Sequence, residues 1–411
     1  MGGQDTMAVI GAGIIGAAVA HALALEGRKV LLLDRAEPGV AGASFGNVGH
    51  IAAELVQPLP SPGLLFGFWR ELFRFGGALD LPPGQALSMM PWIARFAAAA
   101  FRQDEGTRHL APLVKPAAAA WAAWLEQIGN PGLLRRHGHY EVQLGADGAA
   151  FARKQAAAMQ ALGIATRPMR EEELSELTRA ARHTSAAGLW FEKSGHVLDP
   201  LGAVQTLAAA AAGHGAQVSR FDVRTLVPRG DCIEIHGDQG ALNVGGAVVC
   251  AGVESASLLE PFGVRVPLQG VRGYHVELPG RKPFLDAPLV YNREHVLVTP
   301  MQGRLRASSY MEFAHAGAPA DPRKPARLRA QVAALGYPIE ADGPSWVGAR
   351  PVLPDYLPGI GRIKDSRLFY ALGHQHIGLT IAPITGLLVA DLVAGRAPRL
   401  DVAAFDLQRF G

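Results

Sequence analysis

Cysteine is nearly missing from this chain: Cys232 and Cys250 are the only two in 411 residues. That excludes a disulfide scaffold and a cysteine-only metal site. It suits a reducing compartment, and so a cytoplasmic location. Charge is also sparse, at 18% of residues, and nearly balanced, with 39 Lys plus Arg against 36 Asp plus Glu. A net charge of +3 carries no basic patch, so nucleic acid is not an expected partner. No Gly-x-Ser-x-Gly elbow occurs, and Ser-His-Asp hydrolysis finds no support. Internal repeats are absent. Residues 8–25 lack formal charge and approach the length of a membrane span, but glycines and His21 interrupt them and no basic leader precedes them.

What is present is apolar mass. Hydrophobic residues make up 49% of the chain, enough for a large core, and 411 residues exceed one ordinary domain. The start reads as a βαβ unit, with a strand over 7–10, a helix over 14–25 and a strand over 29–33 ending at Asp34. Residues 2–6 read as a ragged start. Residues 37–63 are irregular and rich in Gly, Pro, Ser and Asn, too long for an idle connection. Helices are expected over 111–127, 151–162, 171–177, 201–212, 325–335 and 380–394, with one or two more within 67–108. Asp199 and Pro200 open the helix over 201–212 as cap and first turn. Strands are expected over 138–144, 217–221, 225–228, 232–236, 247–250 and 367–372. Polar and apolar residues alternate over 274–278, 289–298 and 304–313, which reads as an antiparallel sheet.

The expected architecture is α/β plus an antiparallel sheet. A discontinuous nucleotide domain takes 7–56, 195–257 and 346–411, and a substrate-binding domain takes 57–194 and 258–345.

Gly11, Gly13 and Gly16 stand directly between the first strand and the first helix, with Ile14 and Ile15 inside the triplet. Gly11 makes the tight turn, Gly13 admits a pyrophosphate, and Gly16 lets the helix pack on the sheet. Asp34, 23 residues after Gly11, ends the second strand where a ribose is held, with Arg35 beside it. No second such fingerprint exists, which an enzyme reduced by a nicotinamide cofactor would need. Gly42, Ala43, Ser44, Asn47, Gly49, His50 and Ile51 form a small-residue loop able to wrap an extended cofactor, and Gly252 follows a further strand.

Arg350, beside Pro351 in an otherwise uncharged segment, suits a bidentate grip on a carboxylate. Gly373, His374, His376, Gly378, Leu379 and Thr380 link a strand to the last long helix, whose first amides can stabilise negative charge. Either histidine can handle a proton. Their spacing of two, with no third ligand near, points to no metal. Tyr274 and Tyr310 lie on alternating strands, so either hydroxyl can face a ligand or face away. The aromatic and arginine-bearing stretch 66–75 reads either as a helix packed on the protein or as a membrane contact.

Taken together, the N-terminal fingerprint, Ser44 to Ile51, Pro58 to Gly63, Arg272-Gly273-Tyr274-His275, Arg350-Pro351 with Pro354 to Pro358, and Gly373-His374 to Gly378-Leu379-Thr380 resemble the glycine/D-amino-acid oxidase-like FAD enzymes. Within them the bacterial D-amino-acid dehydrogenases, D-hydroxyproline subgroup, are the most similar. The resemblance implies a Rossmann-like FAD-binding domain with a substrate domain over the flavin, noncovalent FAD, and Arg350 as the carboxylate anchor. Tyr274, Tyr310 and His374 become candidates to hold the amine or a hydroxyl. The implied substrate is a D-amino or cyclic D-imino acid such as cis-4-hydroxy-D-proline or D-proline. A respiratory quinone or other acceptor, peripheral contact at the inner face of the membrane, and a homo-oligomer complete the implied partners. An oxygen-using oxidase of the same fold, a noncatalytic flavin-binding scaffold and a nicotinamide dehydrogenase stand as alternatives.

Overall fold

The computed structural model describes residues 3–181, 185–340 and 343–411. Strands Gln217–Arg220, Lys29–Asp34, Thr6–Ile10, Gly246–Val249 and Leu368–Leu372 lie side by side in that order, all parallel, with Gly359–Arg362 antiparallel at the far edge. The central strands are apolar throughout because both faces are covered. One face carries the helices Ile14–Leu25, Pro200–Gly213 and Gly378–Val393. The other carries the antiparallel strands Val223–Arg229, Cys232–Gly237 and Gly240–Val244.

The helix Ile14–Leu25 is buried almost all round, and its small residues explain how. A Cβ on Gly386 would come within 2.6 Å of the Ala18 carbonyl oxygen, so the first and last long helices touch backbone to backbone.

The second sheet has nine strands, running from Ser345–Val352 through Gln269–Pro279, Arg304–Phe313, Val296–Met301, Leu289–Tyr291, His139–Leu144 and Ala186–Phe191 to Thr166–Pro168, with Leu79–Asp80 beside Arg304–Phe313. Its core lies against the helices Glu171–Ala181 and Arg323–Ala334. The fold is a Rossmann-like parallel sheet unit joined to a second unit built on a largely antiparallel sheet.

Several local expectations change. The strand expected over 289–298 is a hairpin, because Tyr291 and Val296 pair with each other. The helix expected over 111–127 is two, Gln103–Val114 and Ala117–Ile128, divided at Pro116, which cannot donate a helical hydrogen bond. Asp199 occupies the cap position, yet its side chain makes no capping hydrogen bond. Residues 346–352, assigned from sequence to the nucleotide unit, are an edge strand of the nine-stranded sheet. The stretch read as a ragged start is structured from Gly3 to Thr6: the first strand starts at Thr6, whose N–H donates to the Gly3 carbonyl. Among the described residues, no helix is long and apolar enough to cross a membrane.

Candidate active site

A cavity of about 430 Å³ opens where the parallel strands end, lined by Ile10, Asp34, Cys250 and Leu372 and roofed by Gln269–Pro279 and Ser345–Val352. Carboxyl ends of parallel strands are where open α/β sheets bind ligands. At its dinucleotide end Gly11 turns with φ +98°, and a Cβ there would lie 2.5 Å from the Cys250 carbonyl oxygen. Gly13 closely faces Ser44, and the Ile14 N–H donates to Ser44 Oγ at 3.0 Å. Asp34 accepts from the Ala12 N–H at 2.6 Å and from the Ala36 N–H at 3.1 Å, so its carboxylate braces the glycine turn while lining the cavity. Arg35 pairs with Glu254 across the mouth. Gly42, Ala43, Asn47, Gly252, Gly373, Gly378 and Leu379 also line the space.

Other expected contacts serve the walls. Gly16 lies behind the turn, where a Cβ would overlap the Gly11 carbonyl oxygen. Gly49, at φ +76°, is pressed against the Val197 carbonyl, and His50 and Ile51 pair with Gly195–Val197. Thr380 Oγ1 accepts from the Ala52 N–H at 3.2 Å and so ties that loop to the last helix. None of these five residues lines the cavity.

At the far end stands Arg350. A Cβ on Gly273 would overlap its guanidinium, so glycine in the neighbouring strand makes the room that the cation occupies. Its Nη1 donates to the Tyr310 carbonyl at 3.2 Å, and among the described residues no carboxylate lies within 4 Å of it. Burial lowers its pKa from the usual guanidinium range, yet arginine keeps its charge. The result is a half-buried cation, short of hydrogen-bond partners, facing the cavity.

Both tyrosine hydroxyls point elsewhere. Tyr274 donates to Glu312 at 2.8 Å on the helix-facing side of the sheet, where Arg272 also pairs with Glu312. Gly273 and His275 alternate onto the cavity side. The Tyr310 hydroxyl donates to Gln331 at 3.0 Å, and its contribution is the backbone carbonyl that Arg350 uses. A φ of +69°, uncommon for a residue with a side chain, sits where pairing with Gln269–Pro279 slips.

The two histidines of the last loop separate as well. His374 turns inward, with Nε2 3.2 Å from Thr385 Oγ1 and its pKa lowered to about 3 by burial. His376 is accessible only from the cavity, deep enough among protein atoms that lost hydration and then the Arg350 charge lower its pKa to about 4, so it is neutral at pH 7. The side chain facing a ligand is therefore His376. Sequence reasoning also passed over Trp346, which lines the cavity stacked on His275 at 5.2 Å, and Asp222 and Arg224, just beyond the strand Gln217–Arg220. The available signal for the latter two was that strand's carboxyl end.

These features fit FAD: a glycine turn and helix start for the pyrophosphate, an acid at the second strand's end, and small residues along the wall. A family model described as "FAD dependent oxidoreductase" matches residues 6–392. The chain belongs to this family of FAD-dependent oxidoreductases. Similar proteins include a D-amino acid dehydrogenase 2 of Ralstonia nicotianae, 30% identical across 98% of this chain and 99% of that one. A D-amino-acid oxidase of Bradyrhizobium diazoefficiens is 28% identical across 98% of each. Among solved structures, glycine oxidase from Geobacillus kaustophilus superposes with a TM-score of 0.74 at 22% identity, over 98% of each chain. The family's cofactor is FAD, and Gly11, Gly13, Ile14, Ser44 and Asp34 line the cavity that would hold it.

Two predictions arise here. Gly273→Ala should raise the substrate KM by about tenfold, because the methyl displaces the guanidinium. The melting temperature should stay nearly level, since only the end of a flexible side chain must move. Steady-state kinetics beside a thermal melt check both, and an unchanged KM would contradict the role given to Gly273.

The second concerns acid. His21, His275 and His374 are buried, and burial lowers their pKa values to about 4, 3 and 3, with the neighbouring charges of His214 and Arg306 adding for the first two. Below pH 6.5 the unfolded chain binds protons that these folded groups refuse, so stability falls as pH drops toward 4. Three such groups give a slope of up to about 4 kcal/mol per pH unit. His50, His139 and His196 are held down, while Glu54 and Glu141 are held up by burial, fewer groups than the histidines, which leaves the direction unchanged. Melting temperatures between pH 8 and pH 5, above the carboxylate range, should fall steeply below 6.5; a flat profile would refute this.

Proposed function

We propose that the protein is an FAD-dependent dehydrogenase that oxidises a D-amino or cyclic D-imino acid at the α-carbon, with cis-4-hydroxy-D-proline or D-proline as the best substrates. The observation that carries this reading is Arg350, a cation without a carboxylate partner at the far end of the cofactor cavity. FAD, when bound, would supply the two-electron acceptor for a hydride leaving the α-carbon, which converts a neutral amine to an iminium that becomes the imine on losing its N–H proton to solvent. Arg350 binds the substrate carboxylate through its fork of donors and so fixes which hydrogen points along the cavity. Neutral His376 can accept a hydrogen bond from the amine or from a ring hydroxyl, and it withdraws no electron density as a cation would. Trp346 offers a flat apolar wall that suits a five-membered ring.

The D-configuration follows the names of the relatives, and the cyclic amine follows the resemblance at Arg272 to His275 and at Gly373 to Thr380. Noncovalent FAD is supported by cysteine placement: the cavity-lining Cys250 stands beside the glycine turn, away from Arg350 and His376, with its thiol pushed up by burial. Transfer to a quinone at a membrane surface is supported by Phe66, Phe68, Trp69 and Phe75. All four are exposed, with Arg70 over the Trp69 ring and Arg74 over the Phe75 ring.

Anaerobic addition of D-proline, cis-4-hydroxy-D-proline and ordinary D- and L-amino acids to the yellow protein tests the reading. Bleaching by a D-substrate, with slow recovery in air and fast recovery with a quinone, is the expected result. Rapid reoxidation by oxygen with peroxide formation would make it an oxidase, and bleaching by none of these acids would overturn the substrate class.

A further inference from the structure

Outside the cofactor cavity, metal-ligating side chains converge at two places among the described residues. One already holds a cation made of protein: Asp80, Glu312 and Asp321 surround Lys324 Nζ at 2.6, 2.8 and 3.1 Å. The other brings together His50, Glu54 and His139, all buried, with no cation of the protein among them.

Glu54 Oε1 lies 3.9 Å from His50 Nε2 and 3.6 Å from His139 Nε2. Those distances are too long for hydrogen bonds. They are close to the roughly 3.3 to 3.5 Å that separates ligand atoms around a tetrahedral ion with bonds of about 2.0 to 2.1 Å. His50 Nε2 and both ring nitrogens of His139 have no hydrogen-bond partner, although His139 is fully shielded from solvent. Buried nitrogens are rarely left so.

The surroundings resemble the supporting layer of a metal centre. Ser194 Oγ donates to Glu54 Oε2 at 2.6 Å, fixing the carboxylate so that Oε1 faces the two imidazoles. The His139 ring stacks on Phe191 at 4.3 Å and meets the His50 ring edge-on at 4.6 Å. His196 is paired directly opposite His50, and both its ring nitrogens are likewise buried and unpartnered.

We propose that His50, Glu54 and His139 form a structural Zn²⁺ site. Two neutral imidazoles and one carboxylate match the donor preference of zinc. The ion would pin residues 50–54 to the strand His139–Leu144, and so brace the loop whose preceding part, Gly42 to Asn47, lines the FAD cavity. This assignment stands apart from the substrate reading and survives its failure.

The test uses the FAD-loaded enzyme, incubated with Zn²⁺, desalted and assayed for metal by mass spectrometry, with thermal melts alongside. About one Zn²⁺ per chain is expected in the unmodified protein. His139→Asn and Glu54→Gln should each lower zinc retention by about tenfold or more at unchanged flavin absorbance. They should also abolish any zinc-dependent rise in melting temperature. His137→Asn, at a solvent-exposed histidine nearby, should retain the metal. Should either variant fail to hold FAD, the unmodified protein decides by itself. Less than a tenth of an equivalent of zinc there, or equal zinc in the unmodified protein and both folded variants, overturns the proposal.

Discussion

Arg350→Met is expected to lower kcat/KM for the bleaching substrate by about 10²- to 10³-fold while FAD content stays unchanged. The magnitude follows from removing one member of a desolvated, charge-assisted pair, which costs about 2 to 5 kcal/mol. Both constants should move. KM rises because the carboxylate loses its anchor, and kcat falls because the α-hydrogen is no longer held along one direction. Arg350→Lys should recover only part of the loss, since an ammonium cannot reproduce the planar fork. Steady-state kinetics with flavin absorbance as the loading control check this. Activity within about threefold of the unmodified enzyme would remove Arg350 from the substrate site.

The second large effect is expected at Gly16, which touches no ligand. A methyl there overlaps the backbone carbonyl of Gly11, and backbone cannot step aside as a side chain end can. Gly16→Ala should therefore yield colourless protein destabilised by about 4 kcal/mol or more, the range reserved for overpacking at a rigid position. The ratio of flavin to protein absorbance and a thermal melt report it. Normal FAD content would show that the first helix can shift without loss of the cofactor cradle.

Much of the cofactor half was legible because its chemistry is local. Gly11, Gly13, Gly16 and Asp34 fall within one βαβ unit, and each is confined to a single task by its spacing. The substrate half was legible only in outline. Alternation shows that Tyr274 and Tyr310 lie on strands, but not which face is the cavity. That depends on Glu312 and Gln331, which claim their hydroxyls. The slip in pairing beside Gly273 shifts the alternation as well. His374 and His376 share one loop and one composition, and only Thr385, in the helix that follows, decides that the first turns inward. The His50 and Glu54 pair is visible at a spacing of four, whereas the partner that gives it meaning, His139, comes from a strand of the other sheet.

The order of the parallel sheet also bears on how the enzyme is made. The strand Leu368–Leu372 lies beside Gly246–Val249, and the helix Gly378–Val393 closes over the first helix. The glycine turn is translated long before its wall at Gly373, Gly378 and Leu379. A nascent chain held on the ribosome before that point has half a cradle. Flavin loading is thus a late event, and a chain stalled near residue 360 should leave translation without its colour.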